Sequence, residues 1–210
     1  MKRVLSKSKL LAGHAVIGLV YVILLLLAWQ ADPGVADENR LLENLQAAAL
    51  FLALVLSLVN LAPLRRQPPP YVAAGLAVLF LTLFLRELDV EKLDLPGVLT
   101  LLGSGTGRNL LLGLLWGAVL LGVAMNRHRL RDDTMAYVRS PLMYYLLAAA
   151  TFYLVGEALD KKLLPLAKPV RVFWEETAEC LAAFWCVLGM VVWTAANSFH
   201  LPFDDKSKTR

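Results

Sequence analysis

Long apolar blocks alternate with short polar segments along the whole chain. The blocks predict helices at about residues 10–30, 41–63, 71–92, 108–125, 141–160 and 174–197. A bilayer core about 30 Å thick requires about 20 apolar residues per helix, and only helices or closed barrels satisfy all backbone hydrogen bonds in lipid. The pattern therefore predicts an all-α fold class, a polytopic integral membrane protein. Its six transmembrane helices would form one bundle, a single transmembrane domain over residues 1–210.

Residues 93–107 interrupt this pattern between the third and fourth predicted helices. Leu95-Pro96-Gly97 is followed by a short apolar piece and then by a glycine-rich run from Gly103 to Gly107. The apolar piece is too short to cross a bilayer, because a transmembrane helix needs about 17–25 residues. We therefore expect a short interfacial or re-entrant segment before helix 4.

Composition agrees with a membrane class, because 58% of the residues are hydrophobic, whereas soluble domains average about 45–50%. The net charge is +4 and the isoelectric point is about 9.1. Basic residues are spread over loops and tails, so the charge indicates membrane orientation and predicts no nucleic-acid partner. The lipid bilayer is the partner that the composition implies, and nothing in the sequence identifies a protein partner.

Charge asymmetry predicts the orientation of the chain. Six spans place both termini on one side, which then carries 13 Lys and Arg residues and 4 acids, against 8 and 13 on the other side. Because cytoplasmic loops are enriched in Lys and Arg, we expect cytoplasmic N- and C-termini in the bacterial inner membrane. Loop 161–173 is the exception: it is basic but falls on the outer side, where its cations would meet anionic lipid headgroups.

Polar residues mark the outer ends of predicted helices 2 to 6. The candidate binding residues are Glu43, Gln46, Arg86, Glu87, Asp89, Arg108, Glu157, Asp160, Glu175, Glu176 and Glu179. Ionisable groups in transmembrane segments cost free energy unless they are paired, and they usually mark functional sites. Their convergence predicts an acidic, Arg-containing site at the periplasmic face.

A plainer interpretation is that these acids only mark the water boundary, where carboxylates cost little. It fits Glu175 and Glu176, because a helix N-terminus favours negative charge. It fits Glu179 less well, since this residue lies one turn deeper and repels Glu175 at i, i+4. Glu87 and Glu157 lie at helix C-termini, which disfavour carboxylates, so we expect compensation by an Arg, a Lys or a bound cation.

The residue types at this site indicate which ligands to expect. Carboxylate oxygens suit a divalent cation such as Mg²⁺, Ca²⁺ or Mn²⁺, so Glu175, Glu176 and Glu179 are candidate metal ligands. Zinc requires His or Cys ligands. The histidines lie near or beyond the opposite face, at His14, His128 and His200. This excludes the His-rich pattern of ceramidase-like hydrolases. A proton is the second candidate, because crowded carboxylates in low dielectric retain a proton more readily.

Three short motifs carry a resemblance. Glu-Asn-x-Gln from Glu43 to Gln46, Arg-Glu-x-Asp from Arg86 to Asp89 and Glu-Glu-x-x-Glu from Glu175 to Glu179 resemble a group of uncharacterised bacterial inner-membrane proteins. That resemblance implies no activity. The third motif is also similar to those of undecaprenyl-pyrophosphate phosphatases and CAAX-type membrane proteases. The chain lacks the phosphatase's Pro-Gly-x-Ser-Arg-Ser loop and the protease's metal-ligand histidines.

Three hypotheses for the function follow. The first is binding or transport of a cation, a proton or a small polar solute, with the glutamates binding and Arg86 and Arg108 balancing their charge. The second is a metal-dependent membrane enzyme that acts on a lipid or isoprenoid phosphate. The third is a structural or accessory membrane subunit with salt-bridged acids. A transporter should show a polar path leading inward, an enzyme should show converging carboxylate oxygens, and an accessory subunit should show ion pairs without a cavity.

Overall fold

The computed structural model describes residues 7–37, 40–61, 70–88, 90–92, 96–128, 134–135 and 137–199. Over these residues the secondary structure is helical. The α-helices are α1 (Lys7–Ala31), α2 (Leu41–Leu61), α3 (Pro70–Glu87), α4 (Gly97–Gly103), α5 (Gly105–Met125), α6 (Pro141–Asp160) and α7 (Lys168–Phe199). Short 3-10 helices lie at Pro33–Ala36 and Val90–Lys92.

Five of these helices are long and apolar enough to cross a membrane. They are α1 from Leu10, α2, α5, α6, and α7 as far as Ala196. The prediction of an all-helical, multi-pass membrane protein is confirmed at this level. Helix α3 has 18 residues, which corresponds to about 27 Å, and it is not among the five. The sixth span therefore stays a prediction, as does the re-entrant path of residues 93–107.

Helix α7 lies at the centre of the bundle, in contact with α6, α2 and α1. Helix α6 runs antiparallel to it, since Gly156 lies against Glu179 near one end and Gly189 lies against Tyr145 near the other. Helix α2 runs parallel to α7. The hydrogen bond from Gln46 to Glu179 and the one from Asn60 to Thr194 join residues 133 and 134 positions apart.

The remaining helices continue this alternation of direction. Helix α5 is antiparallel to α3, because Arg108 bonds the last turn of α3 while Gly122 lies beside Tyr71 at its first turn. Helix α1 is antiparallel to α7, since Trp29 stacks on Phe173 while the earlier Tyr21 stacks on the later Phe184. The C-terminal ends of α1, α3 and α6 therefore meet the N-terminal ends of α2, α5 and α7. We call the end that contains Gln46, Arg86 and Glu179 the acidic end.

The apolar core lies between α2, α3, α6 and α7. Leu50, Phe80, Tyr145, Ala182 and Met190 are all fully buried there. Helix α5 is peripheral and buries none of its residues. An apolar groove of about 690 Å³ separates α5 from α2 and α3, with Leu-, Ala- and Val-rich walls. Exposed apolar surface of this kind is expected of helices that face lipid.

Several predicted boundaries are wrong, and each has a local reason. Helix α7 begins at Lys168 instead of 174, since Pro169 is tolerated in the first turn of a helix. Helix α3 ends at Glu87, and the 3-10 turn Val90–Lys92 replaces its predicted extension to residue 92. Residues 97–103 form the short helix α4, and α5 begins at Gly105, whose φ of +51° suits glycine.

Candidate functional site

Arg86, in the last turn of α3, connects two carboxylates at the acidic end. Its Nη2 donates to Oε2 of Glu179 on α7 at 2.8 Å, and its Nε donates to Oε1 of Glu87 at 2.7 Å. The Arg86 side chain is 48% exposed, whereas those of Glu179 and Glu87 are 16% and 9% exposed. The two carboxylates are therefore largely removed from solvent and depend on this guanidinium for their charge compensation.

Gln46 brings α2 to the same carboxylate. Its Nε2 donates to Glu179 Oε2 at 3.1 Å, and the side chain is fully buried. Its other amide atom, the acceptor Oε1, has no hydrogen-bond partner among the described residues. Polar groups that are buried without a partner are rare in folded proteins and call for an explanation.

Helix α6 contributes an aromatic ring and a glycine. The guanidinium carbon of Arg86 lies 5.7 Å from the ring centroid of Tyr153, within the range of a cation–π contact. The Tyr153 hydroxyl is buried and, within the described part of the chain, has no hydrogen-bond partner. A Cβ atom added to Gly156 would lie 3.0 Å from Cγ of Glu179. Glycine at this position therefore lets α6 close over the glutamate.

These residues form one polar cluster, to which four helices contribute. We call it the Arg86 cluster, and it consists of Gln46, Arg86, Glu87, Tyr153, Gly156 and Glu179. Burial and low dielectric strengthen each charged contact within it, but they also raise the free energy of any charge left unpaired. The prediction that polar ends of separate helices meet at a common end of the bundle is realised for α2, α3 and α7.

Two further carboxylates lie beside the cluster. Glu43 and Glu176 both interact electrostatically with Glu87, and Glu176 also with Glu179. Glu176 is half-buried, and no described residue donates a hydrogen bond to it or forms an ion pair with it. Within the described residues Arg86 forms ion pairs with Glu87 and Glu179, and Glu176 has no compensating cation there.

Other predicted site residues lie outside the cluster, although Glu157 still interacts electrostatically with Arg86. Glu157 is exposed and pairs with Lys161 at 2.7 Å, a hydrogen bond that holds the pKa of Lys161 above its ordinary value. Asp160 is exposed at the end of α6. Glu175 is half-buried, and it interacts electrostatically with Asp160 and Glu179. Asp89, also a predicted site residue, lies outside the described residues.

Arg108 was expected to balance the glutamates directly, but it forms no ion pair with a carboxylate among the described residues. Its Nη1 donates to the backbone carbonyl of Leu85 at 3.0 Å. That carbonyl belongs to the last turn of α3, where carbonyl groups have no partner within the helix. Arg108 thus caps α3 and fixes the helix end that carries Arg86.

The predicted metal ligands do not assemble as a metal site. Across the described residues, no three His, Cys, Asp or Glu side chains are placed to hold a metal ion. In the predicted set of Glu175, Glu176 and Glu179, the Oε2 atom of Glu179 is already bonded to Arg86 and Gln46. Successive helical positions also diverge by about 100° around the axis, which turns Glu176 away from Glu175.

Among the described residues, no continuous polar path leads inward from the cluster along the interface of α2 and α7. Leu50 and Ala53, the next inward-facing residues of α2, are fully buried apolar side chains. Ser57 donates to the carbonyl of Ala53, and Asn60 donates to Leu56 and Thr194. Local hydrogen bonds therefore satisfy these deeper polar groups within the described part of the interface.

Sequence reasoning missed Tyr153 and Gly156 as parts of the site. Both lie in an apolar stretch of α6, where an aromatic and a glycine are normal packing residues. The only sequence signal was their spacing of three, which places both on one helix face.

Cys180, expected to be a small packing residue, is buried and donates its thiol to the carbonyl of Leu42 at 3.1 Å.

Comparison with known proteins identifies no relative. No family model, no curated protein and no solved structure matches this chain. The resemblance of its three polar motifs to bacterial inner-membrane proteins therefore stays a prediction.

Proposed function

We propose that this chain is a bacterial inner-membrane protein that binds a cation, or a small solute with a positively charged group, at the Arg86 cluster. One observation carries the proposal: Glu87, Glu176 and Glu179 interact electrostatically with one another, and among the described cations only Arg86 forms an ion pair with any of them. Carboxylates that are withdrawn from water require compensating positive charge. Arg86 supplies it directly to two of the three.

Unused acceptor atoms support a cationic ligand over an anionic one. Gln46 Oε1 is buried without a donor among the described residues, and Glu176 has no ion-pair partner in the same part of the chain. Carboxylate and amide oxygens accept hydrogen bonds from an ammonium group. The hydroxyl of Tyr153, also without a partner in the described region, can accept from an ammonium group as well. A proton on one of the carboxylates is a second way to lower the excess negative charge.

Binding rather than conduction is the activity that this arrangement favours. Buried Leu50 and Ala53 separate the Arg86 cluster from the deeper polar residues Ser57 and Asn60. Transport would therefore require α2 and α7 to separate, so that these apolar side chains leave the path. Under the charge bias of the loops the acidic end faces the periplasm, which makes a periplasmic ligand our choice.

The test is thermal unfolding of the purified protein with Na⁺, K⁺, Mg²⁺, Ca²⁺ and ethanolamine at constant ionic strength. A ligand present at 100 times its dissociation constant stabilises the folded state by about 2.7 kcal/mol. We expect one of these cations to raise the unfolding midpoint, and Glu176→Gln to abolish the rise. Glu157→Gln is the matched control, because Glu157 is exposed and paired with Lys161.

Two results would contradict the proposal. One is a midpoint that responds equally to every cation. The other is an equal loss of response in both variants, because the effect would then reflect surface charge. If binding is found, flux of the same cation in proteoliposomes separates a transporter from a binding protein.

A second candidate is a structural or accessory subunit. The observation in its favour is the ion pair between Arg86 and Glu179, which joins α3 to α7. In this candidate the ion pair holds the two helices together and binds no ligand. This candidate predicts that Arg86→Gln lowers the unfolding midpoint and that no cation changes it. The combination of stability loss and absent cation response distinguishes it from the binding protein.

A further inference from the structure

A second polar region lies at the acidic end, apart from the Arg86 cluster. The loop between α6 and α7 and the first turn of α7 line an open surface cavity of about 320 Å³. Its walls combine three cations with three apolar residues: Lys162, Leu164, Pro165, Leu166, Lys168 and Arg171. Small-molecule sites in proteins have volumes of about 300–1,000 Å³.

The cations of this cavity are available to a ligand. Lys162 and Lys168 are exposed, and neither forms an ion pair with a described residue. Arg171 uses Nη1 to cap the carbonyl of Asp160 at 3.2 Å and interacts electrostatically with Glu175, but it makes no ion pair within the described region. Lys161 differs from these three, because it pairs with Glu157 and does not line the cavity. The cavity therefore carries an excess of positive charge.

The same loop exposes an unusual amount of apolar surface. Leu163 is 70% exposed, and Leu164 and Leu166 are also exposed. Each leucine that stays in water forgoes the free energy gained by burying its side chain. Insertion at the boundary between headgroups and acyl chains removes this surface from water and leaves the neighbouring lysines among the headgroups.

We propose that this cavity binds the phosphate of an anionic phospholipid headgroup. Lys162, Lys168 and Arg171 contact the phosphate oxygens, and the exposed leucines enter the acyl-chain boundary beside it. Basic pockets at the ends of transmembrane helices favour anionic headgroups by charge. Loop 161–173 is basic although it falls on the predicted outer side. A lipid-binding role accounts for this exception, since its cations would bind a ligand and would not set the orientation of the chain.

The test uses the purified full-length protein in detergent micelles. Native mass spectrometry measures binding of short-chain phosphatidylglycerol, of phosphatidylcholine with the same chains, and of inorganic phosphate. We expect phosphatidylglycerol to bind most tightly. Each cation near an anionic lipid surface contributes enough free energy for about a fivefold change in affinity. Lys162→Gln and Lys168→Gln should each weaken binding about fivefold, and Lys161→Gln, the matched control, should leave it within about twofold.

Three outcomes would overturn the proposal. Equal binding of the two lipids would show that the headgroup charge does not affect the affinity. Equal weakening by Lys161→Gln would show a general surface effect. Tight binding of inorganic phosphate without any preference for the lipid would assign the cavity to a free anion. Because exposed loop lysines are substituted, unchanged unfolding midpoints confirm that every variant is folded. Glu176→Gln should not change lipid binding, so this proposal succeeds or fails separately from cation binding at the Arg86 cluster.

Discussion

Arg86 is the residue on which the charges of the acidic end depend. It donates to Glu87 and Glu179, which are both more buried than the arginine itself. Its position in the last turn of α3 agrees with the helix dipole, which favours a cation at a C-terminus. The backbone carbonyl of Leu85 is capped by Arg108, so the helix end that carries Arg86 is also held from α5.

Removal of this guanidinium should destabilise the protein. Hydrogen bonds to charged groups contribute about 1.5–3 kcal/mol, and the half-exposure of Arg86 reduces that to about 1–2 kcal/mol. We expect Arg86→Gln and Glu179→Gln each to lower the unfolding midpoint, and the double variant to lose less than the sum. A double-mutant cycle from thermal unfolding measures the coupling, about 1 kcal/mol.

The control cycle uses Glu157→Gln and Lys161→Gln. That pair has a similar distance, 2.7 Å, but both side chains are more than half exposed. Its coupling should lie within experimental error, because solvent screens exposed pairs. Coupling as large as that between Arg86 and Glu179 would show that burial does not strengthen the contact.

At the scale of elements, α7 organises the bundle through its small residues. Ala182, Ala183, Cys186 and Gly189 are buried along it, and small residues let neighbouring helices approach closely in a membrane. The helix extends beyond the apolar block at its N-terminus, since it begins at Lys168. Glu175 and Glu176 therefore lie about two turns inside the helix, too far from its end for the dipole to stabilise them strongly.

Gly189 is the position where α6 and α7 should tolerate a side chain least. An added Cβ would lie 2.8 Å from Tyr145 Cβ and 3.0 Å from Leu142 Cδ1. Gly189→Ala should therefore destabilise by about 1–3 kcal/mol through overpacking, measured by thermal unfolding in detergent.

Gly113→Ala is the matched control within another long helix. A Cβ at Gly113 meets no atom within 4 Å, and alanine is the better helix former by about 1 kcal/mol. This variant should be neutral or slightly stabilised. Equal destabilisation by the two variants would contradict the close contact of α6 and α7.

At the scale of the whole molecule, the helices alternate in direction. Helices α1, α3 and α6 end at the acidic end, and α2, α5 and α7 begin there. If α3 crosses the bilayer, the chain makes three crossings between the loop at Asp37 and the turn at Arg127. If it does not, α2 and α5 cannot both cross the bilayer starting from the acidic end, and the two positions lie on the same side.

Labelling of single cysteines decides between these topologies. We expect Asp37→Cys to react with a membrane-impermeant thiol reagent in intact cells, and Arg127→Cys to react only after permeabilisation. Both positions are exposed, and the native Cys180 and Cys186 are buried, which limits their background. Labelling of both positions from outside would reduce the fold to five spans. Labelling of Arg127→Cys alone would reverse the orientation predicted from charge.

The helical membrane class could be predicted from the sequence because it depends on a local property. An apolar block of about 20 residues requires backbone hydrogen bonds within the block itself, whatever lies beside it. The ends of α6 at Pro141 and Asp160 could also be predicted from local features, because Pro141 fits the first turn of a helix. The start of α7 was missed because its first turns are polar and lie outside the apolar block.

The sequence alone determined that acids and arginines lie at the helix ends, but only the tertiary structure decided which of them meet. Arg86 bonds Glu179 and Glu87, whereas Glu157 pairs within its own helix. This choice depends on the rotation of each helix about its axis, and packing at Gly156 and Gly189 sets that rotation. Tyr153 and Gly156 take part in this packing, but in the sequence they cannot be distinguished from ordinary packing residues. Helix ends follow from residues near each other in the chain, whereas ion pairs follow from residues that only folding brings together.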